Sequence, residues 1–468
     1  MSRVVSGVLT QVSYGEEVPD VVDTTGGTVS GNTVSGLSGL TANKYVGQMA
    51  IVLDGSDAGS VYHVASNTAS SITFEETPGF SAGARIAITT EGQLPSDTTK
   101  FFGIIDESDI PSRAAELFDE IYHGGDLPLR SDAVPMKFSY ESTIALSALK
   151  NAEYLWLALG KVTDTPSAYG AVSTTLAAAA YPGENVVTVS DATGLSVNDY
   201  IHIAGSHGGE IRKITAINSN ELTLDVPLRI AHAAGVDVKE VDTSGYYTHV
   251  ITVDEEVPSF TLEVVYMGAR DMSDADIVLH TTGLKVKSLE LSSAAGDTPL
   301  TASLGVAGLH QLENARSKAT VVKVGYSERP YLFKDSSVTI NGVVYSRVED
   351  FKIALDRELA TKWYHRSDIA NAEDIDPVEH IEGRVGLTTD LTIPMTNTTL
   401  YNLLKNGTKF TATVVLTRGT NDSMTIEFSG CYMTTHPLAL PKEGELPVAI
   451  SASASSVTIT VVDSVPHY

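Results

Sequence analysis

Residues 248–268, THVITVDEEVPSFTLEVVYMG, and residues 283–309, GLKVKSLELSSAAGDTPLTASLGVAGL, decide how the chain is read. Val250, Thr252, Phe260, Leu262 and Val264 alternate with polar partners, the period of a half-buried strand. Val257-Pro258-Ser259 interrupts the run, and proline has no N–H to give to a ladder, so the pattern predicts a turn between two strands. Leu284, Val286, Leu289 and Leu291 lead into a second turn at Ala294 to Thr298, and Leu300 to Val306 return. The expectation is a four-strand antiparallel block with one buried face, within a mainly β protein that has a few short helices.

Composition narrows the class. The 468 residues are 42% hydrophobic, enough for several cores. The 31 lysines and arginines against 58 aspartates and glutamates leave a net charge of −27, which repels nucleic acid and also suits a high-salt habitat. A single cysteine, Cys431, excludes an internal disulfide framework and reads as a small buried residue. The opening MSRVVSGVLTQVSYGEE lacks the apolar core of a secretory signal. The most apolar helical stretch, Thr143 to Gly160, is broken by Lys150, Asn151 and Glu153, so a soluble chain made in the cytoplasm is expected.

Two repeats organise the rest. Residues 60–74 match residues 210–224 at a constant spacing of 150, Val61 with Ile211, Val64 with Ile214, Ile72 with Leu222 and Phe74 with Leu224, with Asn67 against Ile217 as the mismatch. Each copy is followed by a proline turn, Pro78 or Pro227, and a Gly-led strand, so two small all-β modules are expected at 26–92 and 176–243. Between them, Ala114, Leu117, Phe118 and Ile121 carry helical spacing after Pro111, and a second helix is expected from Ser142 or Thr143 with Ile144, Leu146, Leu149 and Tyr154 inward. Lys137 to Tyr140 followed by TIALSALKNA matches Thr392 to Met395 followed by TTLYNLLKNG at a spacing of 255, and Phe260 to Val264 matches Met424 to Phe428 at 164. The frame therefore reads as a tandem: an arm at 1–25, a first domain at 93–175 and 244–334, and a second at 335–468. Arg357 to Gly383 reads as a long acidic connection.

The alternating strands, the short helix after a strand, the Val257-Pro258-Ser259 segment, the run Gly283 to Leu289 and Tyr14-Gly15 resemble the major tail tube proteins of long-tailed viruses of bacteria and archaea, outside the two modules. The resemblance implies two tandem tube domains that lend strands to a continuous inner β-barrel. It also implies rings that stack into a hollow tube, a virion tail location after assembly in the host cytoplasm, and DNA passing without specific binding. Implied partners are further copies of the chain, with three per ring favoured over six, and tape-measure and tail-terminator or baseplate proteins; no membrane and no cofactor are implied. Glu263, Lys285, Lys287, Glu290, Arg418 and Glu427 are the candidates for an acidic lumen, although alternation fixes a face and not the side it points to. Trp363, Tyr364, Asp374, Asp376, Glu379 and Glu382, with the arm Met1 to Val22, are candidates for contact with the next ring, and the modules are expected on the outside.

Signals of chemistry are sparse. The sequence has no GxGxxG, P-loop or HExxH pattern, and no catalytic, cofactor or metal residues are assigned. The cluster from His365 to His380 follows no metal-ligand spacing and reads as a solvated acidic loop, and Asn397, Asn406 and Asn421 stand in Asn-x-Ser/Thr contexts. The alternatives to a tube subunit are a surface-exposed β-rich adhesin or binding protein, and a polysaccharide enzyme, for which 2 tryptophans build no aromatic groove.

Overall fold

The computed structural model describes residues 10–96, 98–102, 110–111, 113–121, 130–146, 149–150, 152–205, 208–266, 276–296, 298–322, 329–345, 347–363, 376–394, 399–435 and 447–468. The protein is mainly β, with antiparallel ladders throughout its sheets. An inner sheet runs in the order Arg130–Leu146, Thr301–Gly308, Ile277–Ala294, Asp350–Lys362, Glu379–Pro394, Pro447–Ser453 and the end of Asp422–Thr435. Two of these strands bend into other sheets. The first part of Ile277–Ala294 pairs with Phe260–Tyr266 and His310–Glu313, and Thr10–Glu16 joins on the far side of Phe260–Tyr266 to make a side sheet. The first part of Asp422–Thr435 pairs with Phe410–Gly419 and Ser456–Asp463, and Ser336–Ile340 extends that outer sheet.

One core lies between these sheets. Leu289, Leu291, Leu304, Val306, Phe351 and Ile353 come from the inner sheet and meet Met424, Ile426, Phe428 and Ile459 from the outer one, all at most 4% exposed. Each such side chain contributes about 1.5–3 kcal/mol by leaving water. The short helix Leu155–Leu159, all five residues buried, plugs the same core.

The pairing plan occurs twice. Thr10–Glu16 pairs with Phe260–Tyr266 as Ser336–Ile340 pairs with Phe410–Gly419. Arg130–Leu146 pairs with Thr301–Gly308 as Glu379–Pro394 pairs with Pro447–Ser453, and a helix follows each first strand, Leu155–Leu159 or Thr399–Asn406. The bent strands Ile277–Ala294 and Asp422–Thr435 then correspond, as do His310–Glu313 and Ser456–Asp463. This plan does not follow the spacing of 255, which would set a strand at Thr143 to Leu146 against the helix Thr399–Asn406.

Two small sheets stand apart from the frame, each with its own core. The first runs Asp20–Asp23, Arg85–Ile88, Met49–Val52, Val61–Asn67, Ser71–Phe74, Thr33–Ser35, with Thr28–Ser30 added at the edge. The second repeats that order as Tyr169–Thr175, Asp237–Val241, Tyr200–Ile203, Glu210–Asn218, Glu221–Leu224, Val186–Thr188. The spacing of 150 holds through the ladder: Val64 faces Phe74, a bulge follows, and Asn67 faces Ile72, while Ile214 faces Leu224, a bulge follows, and Ile217 faces Leu222. Asn67 is buried against the period because its side chain accepts from the Tyr45 N–H and donates to the Thr41 carbonyl. The sheets begin earlier than 26 and 176, since Asp20–Asp23 and Tyr169–Thr175 belong to them.

Several local expectations are overturned. Tyr247–Val253 does not form a hairpin with Phe260–Tyr266; it pairs with Gly160–Pro166 and Ser456–Asp463, because the connection between them is held by Arg357, whose guanidinium donates to the carbonyls of Asp254 and Glu255. Ala114–Ile121 is a strand on Arg130–Leu146 rather than a helix, and Ile144 and Leu146 point inward at strand period, so long-range ladders win over local spacing. The two ends of Arg357 to Gly383 are strand, Asp350–Lys362 on Glu379–Pro394, and its middle, 364–375, lies outside the described residues. Within one chain the inner sheet stays open: its end strands, Arg130–Leu146 and Asp422–Thr435, do not pair with each other among the described residues.

Candidate functional site: the polar face of the inner sheet

One face of the inner sheet rests on the core, and pleating sends the alternate residues the other way. Those residues are short and polar: Glu141 and Thr143, Thr301 and Ser303, Ser288, Glu290 and Ser292, then Asp350, Lys352, Ala354 and Asp356, Thr388, Asp390 and Thr392, and Ser451 and Ser453. Five carboxylates (Glu141, Glu290, Asp350, Asp356, Asp390) stand against two ammonium groups (Lys287, Lys352), a balance of −3. Lys287 reaches Glu141 at 2.5 Å and Lys352 reaches Glu290 at 2.7 Å, so both ammonium groups are paired, while Arg384 stands exposed at the same strand period as Gly386 and Thr388. What is left is a surface of hydroxyls and of the carboxylates of Asp350, Asp356 and Asp390, which have no ion-pair partner among the described residues.

Of the lumen candidates, Lys287 and Glu290 lie on this face. Glu263 does not: it is fully buried in the side sheet and accepts from Thr98 (2.5 Å), His280 Nε2 (3.0 Å) and the Ala319 N–H (2.8 Å). Burial pushes its carboxyl up, and those hydrogen bonds outweigh it and hold it below the usual range. Lys285 is 8% exposed, between Glu382 (2.7 Å) and Glu91 (2.9 Å). Burial disfavours its charge, but the two carboxylates raise its pKa above the ordinary value. Beside it His380 is pushed down to about 4 by burial and by Lys285, so it is neutral. Arg418 pins a turn: it grips Asp422 at 2.8 Å, donates to the Arg329 carbonyl at 2.7 Å and lies 3.9 Å over the Tyr331 ring. Glu427 is exposed on the outer sheet, across the core from the inner face.

Of the candidates for contact with the next ring, Trp363, Asp376 and Glu382 have partners within the chain. Trp363 Nε1 donates to the Phe138 carbonyl at 3.1 Å, with Lys137 over its ring. Asp376 accepts from Tyr140 (2.7 Å) and sits 3.3 Å from His310 Nδ1, and Glu382 holds Lys285. Glu379 opens a strand opposite Lys362, while Tyr364, Asp374, His365 and Asn397 lie outside the described residues.

A family model described as phage tail tube protein matches residues 7–461. The chain belongs to the phage tail tube protein family. No curated protein matches it. Membership makes this tail tube protein a structural component of a virion tail. It also fits the chemistry of the interior. The most enzyme-like grouping among the described residues, His249 between Asp164 (2.7 Å) and Asp463 (3.3 Å), is sealed, with the Tyr468 ring stacked on the imidazole at 3.9 Å. His63, Glu75 and Glu76, which the sequence reading does not single out, gather on the first module, all three exposed. Among the described residues, no helix is long and apolar enough to cross a membrane.

The tail tube protein's polar face was only partly legible beforehand. Lys287 and Glu290 were found because they are charged, whereas the serines and threonines that make up most of the face carry no such signal.

Proposed function

We propose that the chain is a major tail tube subunit whose copies join through the inner sheet into rings, three chains to a ring, and that stacked rings form the conduit through which the viral genome leaves. The observation that carries this reading is the inner sheet itself: one chain supplies strands from both halves, ladders them together between Ile277–Ala294 and Asp350–Lys362, and leaves the sheet open. Neighbours supply the closure. The polar, net-negative face then lines the bore, and DNA slides past carboxylates and hydroxyls among which both ammonium groups are held by neighbouring carboxylates. Two repeats of one pairing plan per chain favour three chains where single-domain subunits would need six. The virion is assembled in the host cytoplasm, and the tube meets tape-measure and terminator or baseplate proteins at its ends.

Electron microscopy of the purified protein combined with native mass measurement tests this. The expected particles are rings or tubes of constant bore whose smallest closed unit weighs three times 49.6 kDa. Six chains in one ring would overturn the stoichiometry, and a persistent monomer at high concentration would overturn the conduit.

A further inference from the structure

The second module hangs from a two-stranded stalk, Gly160–Pro166 paired with Tyr247–Val253. The stalk does not end at the module. Its second strand is laid into the outer sheet of the other half, in unbroken register from Tyr247 opposite Asp463 to Thr252 opposite Thr458. At the centre sits His249, 0% exposed, whose Nδ1 meets Asp164 of the first stalk strand at 2.7 Å. Its Nε2 faces the Val465 carbonyl (2.9 Å) and Asp463 (3.3 Å), both from the chain's last strand and tail. Tyr468 stacks on the ring and donates its hydroxyl to Asp463. From the module, Arg229 adds bonds to Glu16 at 2.6 Å and to the Tyr468 carbonyl.

The other half has nothing comparable. Only Gly407 to Lys409 separate its helix Thr399–Asn406 from the strand Phe410–Gly419, so no stalk leaves there. Correspondingly, His310–Glu313, the counterpart of Ser456–Asp463, has no second strand ladder among the described residues.

We propose that the stalk is a clamp: an extended hairpin of the first half that occupies a strand-accepting margin of the second, with His249 as the positioning residue that sets its register. A charged imidazole between two carboxylates on different strands tolerates no slip, since a one-residue shift sends His249 to the opposite face and strands both acids. The module is thus carried on the element that makes two domains one building block. Resting on the ring assembly proposed above, a further consequence is that each ring has two kinds of junction, three clamped inside chains and three unclamped between them.

The test uses the full chain with a protease-cleavage sequence inserted between the exposed Ser317 and Lys318, so that the halves are held only by contact after cutting. Three forms are compared on dilution by native mass spectrometry: the parent, His249→Ala, and a chain in which residues 161–252 are replaced by a tight turn. The Asp254 N–H already donates to the Leu159 carbonyl at 2.7 Å, so such a turn fits. Halves of the parent are expected to stay together, and those of both variants to separate at concentrations at least about tenfold higher, as losing a buried charge pair requires. Should the excised chain not fold, His249→Ala, whose uncut form reports its folding by circular dichroism, decides alone. Separation at the parent's concentration would overturn the clamp. For rings built from cut parent chains, mild denaturant is expected to release paired halves, and release of lone halves would overturn the two kinds of junction. If no rings form, the ring assembly fails while the dilution result still decides the clamp.

Discussion

Replacing Lys285 separates two readings of one residue. By strand alternation Lys285 was a lumen candidate, and a solvated lysine can be removed at a cost within about 0.5 kcal/mol. In the structure its ammonium group lies between Glu91, at the end of the first module, and Glu382, on the long hairpin of the second half, and the three side chains are 9%, 21% and 14% exposed. Lys285→Ala leaves two buried carboxylates facing each other without their cation. Breaking a buried pair in this way costs roughly 3–5 kcal/mol, and the partial exposure of the two acids places the expectation near about 3 kcal/mol. The assay is urea unfolding of the subunit at low concentration, with the midpoint read at constant slope. Lys287→Ala, which removes a surface pair 35% and 54% exposed, serves as the internal control and is expected to change stability by less than about 0.5 kcal/mol. The pH dependence adds a second readout. Glu91 already titrates above the usual carboxylate range because burial outweighs Lys285. Without the lysine it rises further, so protonation relieves the variant, and its deficit shrinks as the pH falls toward the carboxylate range. A deficit under 0.5 kcal/mol, or one that grows on acidification, would refute the buried triad.

Two other predictions concern the interior. Burial alone would lower the pKa of His249, but the hydrogen bonds and charges of Asp164 and Asp463 outweigh it and raise the pKa from 6.5 to about 9. A raised folded pKa stabilises fully below the unfolded value and is lost as pH climbs through the folded one. About 3 kcal/mol is therefore expected to drain away between pH 6.5 and 9, and His249→Gln should flatten that slope in pH-dependent unfolding. Gly283 has φ +65°, and a Cβ there would stand 2.6 Å from Leu309 Cγ, so Gly283→Ala should cost about 2 kcal/mol or more, seen as a lower midpoint in denaturant.

How far the sequence could be read depended on whether a residue's partner was local. Leu289 and Leu291 against Leu304 and Ala302 were legible because a hairpin keeps its partners close and its period clean. The duplicate modules were legible because their spacing of 150 survives in the ladder, bulge included. Phe260–Tyr266 misled, since Thr261 and Glu263 are polar yet buried: the strand is covered on both sides, and the polar residues are satisfied by Glu17 and His280 from remote segments. The shared Leu-Lys-Asn of residues 149–151 and 404–406 misled in another way. Leu404-Lys405-Asn406 ends the helix Thr399–Asn406, whereas Leu149 and Lys150 follow the strand Arg130–Leu146, and only the partner of that strand reveals which strand precedes which helix.

The distribution of charge sets the polar face of the inner sheet, proposed above to line the bore, apart from the rest of the protein. A chain of net charge −27 has carboxylates to spare, and several of its described buried charges sit where separate segments meet: Lys285 with Glu91 and Glu382, His280 with Glu263, Arg229 with Glu16, His249 with Asp164 and Asp463. At those joints a charge pair adds little net stability over an apolar contact but penalises every wrong register, which is what a subunit needs if it is to present an open sheet to a neighbour without slipping. The inner face needs the opposite. A surface past which a polyanion moves must neither bind it nor obstruct it, and serine, threonine and paired lysines meet that demand better than any recognisable motif. Specific chemistry in this protein is therefore concentrated where strands are held in place, and the face proposed to line the bore is kept chemically plain.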